Sequence, residues 1–204
     1  MSNKRFDVLA SEDVISKTKE ALEKNGFKVL VAESGHEAKQ AALDLIPEQS
    51  DVFTVTSETV ANIGLSEEIN ESGKYTSVRK ELINLGHENK KEQKKVGSTP
   101  DYAVGSAHAV TEDGKIIVAS RSGSQLASYA YGADNVILIV STKKITKDLN
   151  EGFERINKYT LPLESIRVQK AYGMDGSSVS KLLILNNDLD NRVTVIFVKE
   201  DLGY

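Results

Sequence analysis

The chain has 204 residues, 39% of them apolar and 27% charged, which fits one large folded domain. Its formal net charge of −4 argues against a general nucleic-acid binder, which needs a basic excess. It has no cysteine, which excludes disulfides, thiolate-bound zinc and an iron–sulfur cluster held by this chain alone. The opening MSNKRFDVLASEDV lacks the apolar core of a signal peptide, and Val136–Val140 is far too short to span a bilayer. The expectation is a single domain over 1–204, cytoplasmic and without membrane insertion.

Residues 11–25 predict a helix with Val14, Ile15, Thr18, Ala21 and Leu22 on one stripe, stopped by Asn25-Gly26. Residues 27–32 read as a buried strand. Ser34 and Glu37 then have capping-box spacing for a helix that buries Ala38, Ala41, Ala42, Leu45 and Ile46 before Pro47. A strand follows over 51–56, then a short helix opened by Ser57 and Glu58 and broken at Gly64. One further helical turn ends at Gly73. This alternation predicts parallel strands joined by right-handed crossovers. Residues 75–78 suit a short strand, and the lysine-rich 85–95 a solvated helix.

Residues 100–104 lead into two short strands around the Glu112-Asp113-Gly114 turn, which is ordinary hairpin chemistry. A helix over 124–131 stops at Gly132. Residues 135–141, NVILIVS, form the most apolar run and predict a central strand. Asp148 caps a helix burying Leu149, Phe153 and Ile156, with Pro162 marking its end. Residues 171–179 read as a loop. The last two strand runs, 181–185 and 192–198, are joined by NNDLDN and predict an antiparallel hairpin. The fold class is α/β: a mostly parallel sheet flanked by helices, with 27–32, 51–56 and 135–141 as parallel neighbours buried on both faces.

Two segments carry candidate chemistry. Ser122-Gly123-Ser124-Gln125 follows a strand and opens a helix, with Arg121 beside it. The same pattern recurs at Thr56, Ser57 and Thr59. Each segment reads either as an anion cradle of backbone N–H groups and hydroxyls or as an ordinary helix cap. Loops at strand carboxyl ends converge on one edge of a parallel sheet, so the two are expected to share a crevice. Gly123 is expected to let a ligand approach the backbone closely. Glu112 is a candidate catalytic carboxylate if it reaches a cleft rim. No dinucleotide or P-loop glycine pattern is present, so no cofactor is expected. His36, His87 and His108 have no metal-ligand spacing, so no tight metal is expected either.

Taken together, AVTEDGKIIV, SGSQLASYAYG, NVILIVSTKKIT and RVTVIFVKEDLGY resemble the lactate-utilisation (LUD) domain family. GFKVLVAESGHEAKQAALDLIPE and TSETVANIGL extend the resemblance over most of the chain. It implies the sugar-phosphate isomerase and CoA-transferase-like fold, with ligand-edge positions at Ser57, Thr59, Glu112, Gly123, Ser124 and Lys144. It further implies a ligand-binding or accessory protein of bacterial lactate utilisation. Such a protein binds a small anionic metabolite, and the family implies an iron–sulfur or dehydrogenase-like protein partner; a homo-oligomer is also open. The alternatives are an enzyme for a small phosphorylated sugar or acyl-CoA substrate, and an assembly subunit with no ligand of its own. The chain departs from many relatives in having YGMDGSSVSK where they carry cysteines, and Lys143 where an asparagine is usual.

Overall fold

The computed structural model describes residues 4–204. Its centre is a sheet of six strands, all parallel. They are β1 (Lys28–Ala32), β2 (Asp51–Thr54), β3 (Thr76–Ser77), β4 (Tyr102–Gly105), β7 (Asn135–Ser141) and β10 (Val193–Val198), ordered β1-β10-β7-β4-β2-β3. A second sheet, ordered β8-β5-β6-β9, contains β5 (Ala109–Thr111), β6 (Ile116–Ser120), β8 (Ile145–Thr146) and β9 (Lys181–Leu185).

The alternation of side chains along β7 explains the layering. Val136, Leu138 and Val140 pack into one core with Leu22, Phe53, Val110, Val118 and Phe197, between the two sheets. Ile137 and Ile139 face the other way, against helices α2 (Gly35–Asp44), α3 (Glu58–Asn62) and α4 (Leu65–Glu71), through Ala38, Val60, Leu65 and Ile69. A strand covered on both faces has no polar side to show, hence its unbroken apolar run. A third, smaller cluster joins the second sheet to the helix that begins at Leu149, through Ala109, Ile117 and Ile156.

Several expectations are corrected in detail. The strands 27–32, 51–56 and 135–141 do lie parallel in one sheet, but β10 separates β1 from β7, and β4 separates β2 from β7. β1 is an edge strand with Leu30 and Val31 exposed, so it is not buried on both faces. The two C-terminal strands form where expected, and β9 is antiparallel, but its partner is β6. β10 instead enters the central sheet in parallel, between β1 and β7. Its six buried residues belong in the sheet's middle, whereas β9 is only half-covered and suits an edge. Residues 102–105, read as a lead-in, form central strand β4.

Pro162 does not end its helix. Helix α8 (Leu149–Arg155) passes through a π turn, Ile156–Thr160, into α9 (Leu161–Tyr172). Proline lacks an N–H and crowds the carbonyl four residues back; a wider π turn just before it loosens the ladder where that clash would fall. Elsewhere the local signals hold: Ser34, Ser57 and Asp148 each accept a hydrogen bond from a first-turn N–H, as N-caps do.

Candidate functional site

The carboxyl ends of the parallel strands open into one cleft of about 620 Å³. The segment after β2 supplies Val55 to Thr59, and that after β4 supplies Ser106, Ala107 and His108. Lys144 follows β7, and Tyr204 follows β10. This is the edge where parallel α/β sheets hold ligands. The second sheet closes the cleft with Ala119 to Ser122, Ser124 and Gln125 at the end of β6, and α9 adds Glu164 and Arg167. The two hydroxyl-rich segments therefore share one crevice, although Ser122–Gln125 arrives from the antiparallel sheet. Thr56, Ser57, Thr59, Arg121, Ser122, Ser124, Gln125 and Lys144 all line it.

Two candidates fall elsewhere. The Glu112 carboxylate accepts a hydrogen bond from Lys17 Nζ at 2.7 Å, on helix α1 (Glu12–Lys24), and does not line the cleft. Gly123 has φ of +87°, a conformation that favours glycine, and a side chain there would meet the Lys181 stem at 2.6 Å. The turn itself therefore requires glycine at this position.

The Ser120–Gln125 turn closes on itself. Gly123 N–H donates to Ser120 Oγ at 2.8 Å, and Ser124 N–H to Ser122 Oγ at 3.3 Å. Ser122 Oγ donates to Ser124 Oγ, and Ser120 Oγ to Gln125 Oε1. Those two N–H groups are already satisfied, which favours the cap reading over a backbone cradle. Ser57 likewise accepts from Val60 N–H at 3.4 Å. Helix α3 behind Ser57 has only five residues and presents no large dipole, whereas α7 (Ser124–Ala127) runs on through a π turn, Ser128–Gly132.

Lys144 is different. It stands on a 3₁₀ turn, Thr142–Lys144, and is 2% exposed. Its Nζ donates to Thr59 Oγ1 at 2.8 Å and to Ser106 Oγ at 3.1 Å. Among the described residues, no carboxylate lies within ion-pairing distance of it. Burial, then the nearby charges of Arg155 and Lys143, hold its pKa well below the ordinary lysine value.

The cleft wall shows the same unevenness. His108 Nδ1 accepts from Ala119 N–H at 3.2 Å, and burial pulls its pKa down to about 3, so the ring is neutral. The neutral tautomer that accepts at Nδ1 carries its proton on Nε2. Behind the wall, burial lowers Arg155 to about 10; it donates to the His108 carbonyl oxygen and to Thr160 Oγ1, leaving Nε and one terminal nitrogen unpartnered among the described residues. Tyr129 Oη is buried and lines the cleft; the Ser106 backbone N–H points at its oxygen, but its own O–H finds no acceptor among the described residues. It lies against Gly105, where any Cβ would collide with it. Burial raises the Glu164 carboxyl, but hydrogen bonds from Arg167 and Tyr204 outweigh that and leave its pKa below normal.

Arg79, Arg121, Lys144 and Arg167 line the cleft against two carboxylates, Glu58 and Glu164, so its formal balance is positive on a negatively charged chain. Sequence reasoning missed Ser106, Tyr129 and Glu164. Ser106 follows a strand too short to be recognised, Tyr129 reads as a helix-face aromatic, and Glu164 lies beyond the proline that seemed to end its helix. Among the described residues no group of three or more metal-ligating side chains gathers. No helix of the described chain is long and apolar enough to cross a membrane.

No curated protein matches the chain. Among solved structures, a DUF162 family protein from Deinococcus radiodurans superposes with a TM-score of 0.58 at 13% identity, over 94% of this chain and 99% of that one. That likeness concerns the fold. The LUD domain matches residues 15–181, and on that match, which spans most of the sequence, the chain belongs to the LUD domain family.

Proposed function

We propose that the cleft binds a small organic-acid anion, and that the chain serves lactate utilisation as a ligand-binding protein. The observation that carries this reading is Lys144: a buried lysine that lines the cleft and, among the described residues, is held only by hydroxyls with no carboxylate to neutralise it. Burying a cationic group without a counter-charge is costly, and a bound carboxylate would supply what the fold withholds. The positive balance of the lining favours the same sign of ligand. A volume of about 620 Å³ suits a small metabolite.

A thermal-shift and calorimetric screen of lactate, pyruvate, sugar phosphates, CoA esters and nucleotides tests this. A ligand at 100 times its Kd stabilises by about 2.7 kcal/mol. Stabilisation by the organic acids, lost in Lys144→Met, supports the reading; a response to sugar phosphates or CoA esters alone transfers the site to the enzymatic alternative. For that alternative Glu112 no longer serves as the cleft carboxylate, since it is paired with Lys17 outside the cleft. Co-purification with an iron–sulfur or dehydrogenase-like protein would test the partner that family membership suggests.

A further inference from the structure

We propose that Lys144 is a carbonyl-capturing amine, which forms a reversible imine with a 2-oxo acid bound in the cleft. This deepens the anion-binding reading and rests on it. A neutral lysine amine has two N–H bonds and one lone pair. Here two hydroxyl oxygens, Thr59 Oγ1 and Ser106 Oγ, receive hydrogen bonds from Nζ. With both N–H bonds directed at hydroxyls, the lone pair is the one valence left, and Lys144 lines the cleft. A desolvated lysine, whose burial favours the uncharged amine, is the kind of nucleophile that Schiff-base chemistry requires. The absence of a carboxylate partner among the described residues matters for the same reason, since an ion pair would hold the ammonium form and block attack.

A second, independent feature points to the same reaction. Tyr129 Oη is buried in the cleft lining, packed against the residue that precedes Ser106, and among the described residues its O–H has no acceptor, the Ser106 N–H approaching its oxygen only as a donor. Burial pushes its pKa above the usual phenol value, so it remains a hydrogen-bond donor. A substrate carbonyl oxygen is an acceptor that would complete it.

The chemistry balances without a further reagent. The Nζ lone pair forms a C–N bond to C2 of the 2-oxo acid, and the carbonyl π electrons move to oxygen. One proton passes from nitrogen to that oxygen, directly or through the Thr59 or Ser106 hydroxyl, giving a carbinolamine. The second nitrogen proton and the hydroxyl then leave as water while C=N forms. Hydrolysis reverses the sequence. Attack requires the substrate carboxylate to sit on another cation of the lining, such as Arg121, and so leave Lys144 as the free amine, whereas an acid without a carbonyl pairs its carboxylate with the Lys144 ammonium.

Reductive trapping tests the proposal. The full chain is incubated with pyruvate and sodium cyanoborohydride, digested and mapped by mass spectrometry, with lactate as the carbonyl-free control. The expected result is one carboxyethyl group on Lys144, none with lactate and none at this position in Lys144→Arg. Tyr129→Phe should slow trapping by about 10-fold or more. Calorimetry on the same samples separates the two levels of inference. Pyruvate that binds without an adduct at Lys144 overturns the imine and leaves anion binding intact. Adducts spread over surface lysines, with Lys144 spared, also overturn it. If neither pyruvate nor lactate binds and nothing is trapped, both readings fail.

Discussion

Lys143 and Lys144 are neighbours on one short turn, and both are buried, yet they sit in opposite surroundings. Lys143 Nζ reaches Asp7 at 3.0 Å and Asp201 as well, and Asp7 also accepts from Tyr159. Burial opposes its charge, but the hydrogen bonds it donates to the two aspartates outweigh burial and raise its pKa. Lys144 faces only hydroxyls, and its pKa falls. One lysine is completed by the fold and reads as structural. The other is left incomplete, at the edge where the parallel strands end. The difference between them is the presence of a carboxylate, and it is what marks Lys144 as a binding group.

The largest expected effect separates the two by function. Lys144→Met should weaken binding of an organic-acid anion by about 10- to 100-fold, the loss of one buried charge-assisted contact. Calorimetry reads that change, and thermal unfolding should show stability raised by up to about 1 kcal/mol, since a desolvated amine has been replaced by an apolar chain. Lys143→Met should do the reverse. Denaturant titration should show a loss of about 1 kcal/mol, with anion affinity nearly unchanged. That figure is modest for a buried lysine because its partners Asp7 and Asp201 are 45% and 64% exposed and largely solvated. Equal effects from the two substitutions would erase the comparison.

Smaller changes sharpen it. Thr59→Val removes one of the two Nζ acceptors and should cost about 1 kcal/mol in stability, seen as a lower denaturant midpoint with an unchanged slope. The alkaline limb of the stability profile should show the same contrast. Between the depressed folded-state pKa of Lys144 and its ordinary 10.5, the unfolded chain binds the extra proton, so stability contributed by this residue rises with pH. Lys143 has the opposite sign: its folded pKa is raised, so its contribution is full below 10.5 and is lost as pH climbs through the elevated value. Melting temperatures measured across that range should rise less steeply with pH in Lys144→Met than in the parent, and fall later in Lys143→Met.

Much of this was legible before the fold was seen. β7 announces itself because a strand covered on both faces must be apolar throughout, and the caps at Ser34, Ser57 and Asp148 are local chemistry that tertiary structure did not override. The pairing of β10 was not legible. Its six-residue run fits a hairpin and a central strand equally well, and only the long-range choice between β9 and the β1–β7 gap decides it. β4 was hidden by its brevity, and α9 by Pro162, whose clash the π turn relieves. In the cleft, hydroxyl-rich turns drew attention because they resemble anion cradles, yet a turn of serines readily satisfies its own N–H groups. The partners of Lys144 lie 38 and 85 residues away, at Ser106 and Thr59, a constellation that no local spacing encodes.

The most direct measurement is the titration of Lys144 itself. Lysine labelled with ¹³C at Cε, with Lys144→Arg used to assign its resonance, can be followed by NMR from neutral to alkaline pH with and without lactate. In the free protein the Lys144 signal should titrate well below Lys143. Lactate, which adds a carboxylate without a carbonyl, should move the midpoint upward by favouring the ammonium form. A Lys144 signal that titrates at the ordinary lysine value and does not respond to lactate would contradict the assignment of the cleft as an anion site built on this residue.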